Sequence, residues 1–447
     1  MRSGHVSDPA FYIMENIINK CEETLERNWR NGFTVPSSKL YPFQWNWDSG
    51  IVSVGMSHHN LAYSIKEIET LFSGQWANGM LPHILFHSES ESSYFPNFDF
   101  WNSNVNPGAP IRPKSSGITQ PAVHGFVLER LLAMHPESSE LKRFVKMIFP
   151  RVLQYHRYLY KHRDPNREGL IFMYHPWESG RDNSPLWDSS LKRIEIASGQ
   201  LPDYQRRDTE IADPSERPTM FEYDRYVYLL ELGKKNGYEG SGIFEESPFK
   251  IQDTLMNAIL IKSNQSLINI AKSMSFDIGE LDEWQVQSTS AFGKLWSPDL
   301  QSFAPFDLID KKHIAHKEIG GFVSLLAGLA SDDQAQVMNQ YLLDLHHRDF
   351  YLCPSFDVDS ELFDSKRYWR GPIWPQMNWL IYQGLKEYGF ESTADIVKSD
   401  ILELAGKLGL YEYFESQKGL VSALTEGYGG NHFSWTASCV IDLIKSK

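Results

Sequence analysis

The segment WESGRDNSP at 177–185 sets Glu178 and Asp182 beside Arg181 on a loop rich in Gly, Asn and Pro, directly after the apolar run LIFMYHPW. An acidic loop residue is most often a solvated turn or a helix cap. Here Trp177 and Trp187 flank it, and a carboxyl walled by aromatic rings loses hydration, which disfavours its anion and raises its pKa. The shift has to be large. An ordinary Asp, with pKa about 3.9, is only about 0.1% protonated at pH 7. A general acid needs roughly two to three units of upward shift, at a cost of about 3–4 kcal/mol of lost ionisation. Arg181 opposes that shift unless it points away or pairs with Glu178. Near the other end of the chain, LYEYFESQKG (410–419) and TEGYGGNHFSWTAS (425–438) supply three further acids, Glu412, Glu415 and Glu426. A second carboxylate opposite the first completes the pair that glycoside hydrolysis needs: one acid for the leaving oxygen and one base for water. Enzymes that invert the anomeric centre hold this pair about 6.5–9.5 Å apart.

The aromatic residues point the same way. Of 13 tryptophans, ten (Trp45, Trp47, Trp76, Trp101, Trp177, Trp187, Trp369, Trp374, Trp379 and Trp435) fall in or beside Gly/Pro/Asn-punctuated segments. Taken singly, each could as well anchor a loop. Together they offer flat apolar faces with a polar N–H at the edge, which suits the apolar C–H face and polar rim of a sugar.

Composition excludes other partners. The 447 residues carry 43 Lys+Arg and 57 Asp+Glu, a net charge of −14. This charge repels nucleic acid and anionic membrane at long range. A hydrophobic content of 41% with 22% charged residues describes a folded chain. No run of 18 apolar residues forms a membrane span, and the start, MRSGHVSDPAFYIMEN, lacks the apolar core of a signal peptide. Cys21, Cys353 and Cys439 are too few and too scattered for a disulfide framework or a CxxC metal site. A reducing cytoplasm is therefore expected. The pairs His58-His59 and His346-His347 lack helical ligand spacing, and no HExxH, GxSxG, P-loop or dinucleotide motif occurs. No metal and no cofactor is expected. A homo-oligomer is left open.

Helical periodicity positions these residues. Amphipathic candidates cover 9–30, 55–75, 121–136, 139–162, 219–236, 247–274, 279–294, 318–331, 333–346, 374–388, 392–409 and 433–446. Strands are few, with 350–357 the clearest and a short one near 169–174. Twelve helices of similar length fit a ring of helical hairpins in two concentric layers of six, a single domain over 1–447. Three connections, about 76–120, 175–218 and 347–373, are too long for a plain bundle. Long ordered loops are usually functional, so they are expected to cap the site, with the polar stretch 188–218 as a lid.

YPFQWNWDSG (41–50), WESGRDNSP (177–185), YWRGPIWPQMNW (368–379), YEYF (411–414) and HFSWTAS (432–438) occur in that order. In them the chain resembles glycoside hydrolase family 63 and, more distantly, the trehalases of family 37. Its length is similar to that of the compact bacterial and plant members that hydrolyse mannosylglycerate or glucosylglycerate. The resemblance implies an all-α (α/α)6 barrel, inversion of configuration and no redox cofactor. It implies Asp182 as general acid and, among the three late acids, Glu412 as general base. It also implies a sugar pocket of Tyr41, Trp45, Trp47, Asp48, Gln120, Trp374 and Trp435, with His83, Tyr94 and Trp177 as further contacts. Asp48 could otherwise cap the helix after it, and His83 could be purely structural. A glycerate is an anion, and in a protein of this charge it needs a local cationic clamp, best supplied by the planar fork of Arg. The positions matching the family's glycerate contacts are Arg217, Tyr223, Tyr368 and Trp369. A lid ion pair with Glu216 or Asp213 is the alternative for Arg217. Two rival functions stay open: an α-glucosidase for neutral disaccharides, and a non-catalytic sugar-binding protein on the same barrel. The resemblance leaves both glucose and mannose as the hexose.

Overall fold

A computed structural model describes residues 9–87, 94–211 and 213–446. Thirteen helices organise it: α1 (Pro9–Asn28), α2 (Asn46–His59), α3 (Leu61–Ser73), α4 (His124–Met134), α5 (Ser139–Arg163), α6 (Met220–Lys235), α7 (Thr254–Met274), α8 (Gly279–Phe292), α9 (Ile319–Phe322, continued by a 3-10 segment to Ala327), α10 (Asp332–His347), α11 (Pro375–Glu387), α12 (Glu391–Leu408) and α13 (Ser434–Lys445). Helices α2, α4, α7, α9, α11 and α13 pack side by side in that order, and α13 returns to α2. Around this closed inner ring lie α1, α3, α5, α8, α10 and α12. The result is an all-α (α/α)6 barrel, with α6 outside the two layers.

Burial separates the layers. Every residue of α2 from Asn46 to Ser57 is buried. The outer helix α10 buries only Ala335, Met338, Leu342 and Leu345, a stripe at the 3-4-3 spacing of one helix face. Neighbouring inner helices touch at glycines. A Cβ on Gly55 of α2 would lie 2.3 Å from the Cα of Ser438 on α13, and one on Gly384 of α11 would lie 2.6 Å from the Leu326 backbone. Ser438 Oγ accepts the Gly55 N–H at 2.8 Å and donates to Ile51 O at 2.7 Å, so it bonds the closing seam as well as filling it.

Five expected elements differ in extent. The helix expected over 55–75 is interrupted at Asn60. Its backbone is extended and its side chain accepts the Tyr63 N–H, capping α3, while α2 begins earlier, at Asn46. The helix expected from 247 begins at Thr254, because Asp253 caps it and residues 251–252 pair with 306–307 instead. The helix expected over 318–331 shortens to one α turn and a 3-10 segment. Gly320 and Gly321 weaken its start and Gly328, at φ 63°, ends it. The segment 350–357 is not a strand of a sheet: it forms single bridges from Phe350, Pro354 and Phe356 to three different partners. Pro354 has no N–H to sustain a ladder. The stretch 169–174 keeps one bridge, Met173 to Ile251.

Small antiparallel sheets carry the loops. β1 (Gln44–Trp45), β2 (Ile84–Phe86) and β3 (Lys114–Ser115) form one, with Leu85 opposite both Gln44 and Ser115. β4 (Tyr411–Tyr413) pairs with β5 (Tyr428–Asn431). The seam geometry gives a test. Gly55→Ala should lower stability by roughly 1–3 kcal/mol through overpacking, read as a fall in Tm. An unchanged Tm would mean that the α2–α13 contact is looser than described.

Candidate active site

One cavity gathers the chemistry. It holds about 150 Å³. Its walls include Tyr41, Trp45, Trp47, Asp48, His83, Tyr94, Gln120, Trp177, Asp182, Arg217, Tyr223, Tyr368, Glu412 and Trp435. All three long connections contribute. Of the residues expected to touch substrate, two do not line it. Trp369 is fully buried and stacks on Trp374 at 3.7 Å. Trp374 backs the wall instead, stacked on Tyr413, edge-on to Tyr368 and Trp435, and donating its N–H to Tyr368 O at 3.0 Å. Motif position marks the right wall but not which ring faces inward.

The loop of Asp182 is fixed on both sides by buried ion pairs. Glu178 pairs with Arg163 at 2.7 Å and accepts the Tyr174 N–H at 3.0 Å. Arg181 therefore does not pair with Glu178. It points away and holds Asp253 and Glu318, all three buried. Asp253 caps α7 through the Met256 N–H and Glu318 caps α9 through the Gly320 N–H, so the loop is tied to the starts of two neighbouring inner helices. Gly180, at φ 69°, turns the chain against Trp47, where a Cβ would sit 2.6 Å from the indole. The Asp182 carbonyl accepts Tyr226 OH from α6 at 2.5 Å.

Glu412 projects from β4. Its Oε2 accepts the Gly430 N–H at 3.1 Å, and its Oε1 accepts Tyr41 OH at 3.0 Å and Tyr368 OH at 3.5 Å. Trp435 donates to its carbonyl at 3.1 Å. Of the other late acids, Glu415 accepts Ser365, Tyr428 and the Gln417 N–H, and Glu426 accepts Tyr411 OH at the surface. Neither lines the cavity.

The two carboxyls are electrostatically distinct. Burial pushes Asp182 up to about 7, Arg217 opposes this, and Glu412 and Asp208 add to it. Burial also raises Glu412, against Arg217, the Gly430 N–H and Tyr41 OH. Those donors stabilise the anion of Glu412, so of this interacting pair Glu412 ionises first and Asp182 keeps its proton longest.

Arg217 pairs with Asp208 (Nε to Oδ2, 3.2 Å), not with Glu216 or Asp213, donates to Tyr41 OH at 3.1 Å and lies 4.3 Å over the Tyr368 ring. Arg206 also holds Asp208 and covers the Tyr223 ring. Asp48 lies in the first turn of α2 and lines the cavity, its carboxyl raised well above the usual range by burial. Gln120 Oε1 accepts the Trp47 N–H at 3.3 Å. His83 Nδ1 meets Ser116 Oγ at 2.7 Å, and burial keeps the ring neutral. Tyr94 stands edge-on to Trp45, and Trp177 edge-on to Tyr223. Lys39, Phe95, Arg207 and Asp208 also line the cavity, and the sequence reading misses them. The charge alternation QRRDTE within the lid stretch is the available signal.

Two acids lining one aromatic cavity in an (α/α)6 barrel are the equipment of a glycoside hydrolase. The family model for the mannosylglycerate hydrolase MGH1-like glycoside hydrolase domain matches residues 41–436. The chain belongs to this family, a branch of glycoside hydrolase family 63. A mannosylglycerate hydrolase of Thermus thermophilus is 39% identical over 94% of this chain and 99% of its own. A glucosylglycerate hydrolase of Mycolicibacterium hassiacum is 32% identical over 97% of this chain and 99% of its own. A crystal structure of a Thermus thermophilus mannosylglycerate hydrolase in complex with Tris and D-glycerate superposes with a TM-score of 0.89, at 38% identity, covering 95% of this chain and 99% of that one.

Among the described residues no helix is long and apolar enough to cross a membrane, and no cluster of His, Cys, Asp and Glu could hold a metal.

The raised Asp182 has a stability consequence. Its folded pKa lies above the unfolded value, so ionising it opposes folding as pH rises. Asp182→Asn should stabilise the protein by an amount that grows between about pH 4 and pH 7 and then levels off, at most about 4 kcal/mol. Thermal melts at pH 4 and pH 8 check this. A Tm gain that is equal at both pH values, or absent at pH 8, contradicts it.

Proposed function

We propose that this protein hydrolyses α-glycosides of glycerate, glucosylglycerate or mannosylglycerate, to free hexose and glycerate with inversion. The observation that carries this reading is Arg217. It is a buried guanidinium in the same cavity as Asp182 and Glu412, in a protein of net charge −14. Its Nε and Nη1 are engaged by Asp208 and Tyr41, and among the described residues no protein acceptor takes Nη2. A substrate carboxylate would complete the hydrogen bonding of that fork. The substrates named for the relatives agree with it.

In the reaction, Asp182 gives its proton to the glycosidic oxygen as the bond to the anomeric carbon breaks. Glu412 takes a proton from the water that forms the new bond on the opposite face. The Trp45, Trp47, Trp177 and Trp435 rings hold the hexose, Asp48 and Gln120 bond its hydroxyls, and Arg217 with Tyr223 and Tyr368 holds the glycerate. The three cysteines are buried and unpaired with one another, in keeping with a cytoplasmic enzyme.

An NMR time course with glucosylglycerate and mannosylglycerate, beside trehalose, kojibiose and nigerose, tests this directly. The expected result is preferential release of the β-anomer from a glycerate glycoside. Preference for a neutral disaccharide overturns the substrate, and release of the α-anomer overturns inversion. Asp182→Asn and Glu412→Gln should each lower kcat by at least about 10²–10⁴, and wild-type turnover in either removes its role. Arg217→Ala should lower kcat/KM for the glycerate glycoside by about 30-fold or more, and by a larger factor than for a neutral glycoside, which loses only the cation's influence on Asp182 and Glu412.

A further inference from the structure

Among the carboxyls buried outside the reacting groups is one whose hydrogen bonds reach the segment behind the cavity wall. Glu67 is on the outer helix α3 and has no solvent exposure. Its Oε1 accepts Ser49 Oγ at 2.5 Å and Gln44 Nε2 at 3.0 Å. The same Gln44 amide also reaches the Glu67 carbonyl at 3.1 Å and Ser49 Oγ at 3.0 Å, and its Oε1 meets His87 Nε2 at 2.7 Å. Gln44 and Ser49 are the ends of a segment that carries Trp45, Trp47 and Asp48, all on the cavity wall. One carboxyl from the second layer thus grips both ends of the segment that presents two rings and an acid to the cavity.

We propose that Glu67 is a positioning residue for the sugar-binding wall: through Gln44 and Ser49 it sets where Trp45, Trp47 and Asp48 stand, and so governs hexose binding but not binding of the aglycone. The inference rests on the functional reading above.

The donor arithmetic explains why an acid serves there. Both neighbours offer hydrogens to one oxygen, so that oxygen must be an acceptor. Thr34 stands beside the same carboxyl, and its hydroxyl and backbone N–H favour the anion. Burial pushes Glu67 up to about 7. In the neutral form as in the anion, Oε1 remains the acceptor for Ser49 and Gln44, so the grip does not depend on ionisation, while the charge of Glu67 opposes ionisation of Asp48.

Glutamine mimics that neutral form, and alanine does not. In Glu67→Ala, Ser49 loses its acceptor and Gln44 loses one of three, so the hold on the segment loosens. Misplacement of about 1 Å at such a site costs on the order of a hundredfold.

The test measures the hexose inhibition constant, the glycerate inhibition constant and kcat/KM for wild type, Glu67→Gln and Glu67→Ala, well below the Tm of each. For Glu67→Ala the expected result is hexose inhibition weakened by about tenfold to a hundredfold, kcat/KM down to match on charged and neutral glycosides alike, and glycerate inhibition unchanged. Glu67→Gln should restore all three. Unchanged hexose inhibition in folded Glu67→Ala, or equal loss of hexose and glycerate binding, overturns the proposal. If Glu67→Ala does not fold, Ser49→Ala carries the test: it should weaken hexose inhibition measurably with glycerate unaffected, and no change overturns it. A wild type that binds no hexose overturns the functional reading instead, which separates the two failures.

Discussion

Arg181 sits almost without solvent contact between Asp253 and Glu318, directly beside Asp182 in the chain. Burying three charges is costly. It is offset only because each carboxylate also caps a helix, Asp253 at α7 and Glu318 at α9, where N-terminal N–H groups and the helix dipole favour an anion. Removing one partner from such a group strands the others, at about 3–5 kcal/mol. The triad therefore fixes the loop to two staves of the inner ring and, with its cation already engaged, spares Asp182. The charges that bear on Asp182 are Arg217, Glu412 and Asp208, not its own neighbour.

The cap has the opposite character. Arg217, Tyr41 and Glu412 form a relay in which a cation donates to a phenol that donates to a carboxylate. Asp208 and Arg206 brace it from within the stretch that reads as a lid. Any anion placed on Arg217 alters the field at Asp182 and Glu412 together, because both feel that guanidinium. The proton affinities of both acids are thus joined at one residue.

Much of this is legible in the chain. The 3.6-residue periodicity marks every ring helix except α2, whose burial on all sides leaves no polar face to read. The ordered motifs carry about half of the cavity lining, Asp182 and Glu412 included. What escapes depends on contacts that no local pattern encodes. Asn60 ends a helix because its side chain finds Tyr63. Trp374 turns away from the cavity because Tyr413 and Trp369 stack on it. Arg181 chooses its partners from residues 72 and 137 positions downstream. Glu67 is invisible, since an acid within LAYSIKEIETLFS reads as the polar face of an amphipathic helix.

The bond from Tyr41 to Glu412 spans 371 residues of sequence. Alongside it, Ser434 receives Asn28 and donates to Val35 O. Contacts of such separation carry a heavy loop-closure cost and form late. A nascent polypeptide emerging from the ribosome would thus display Asp182 long before Glu412 exists, and the cavity would be complete only when the last stave shuts the ring.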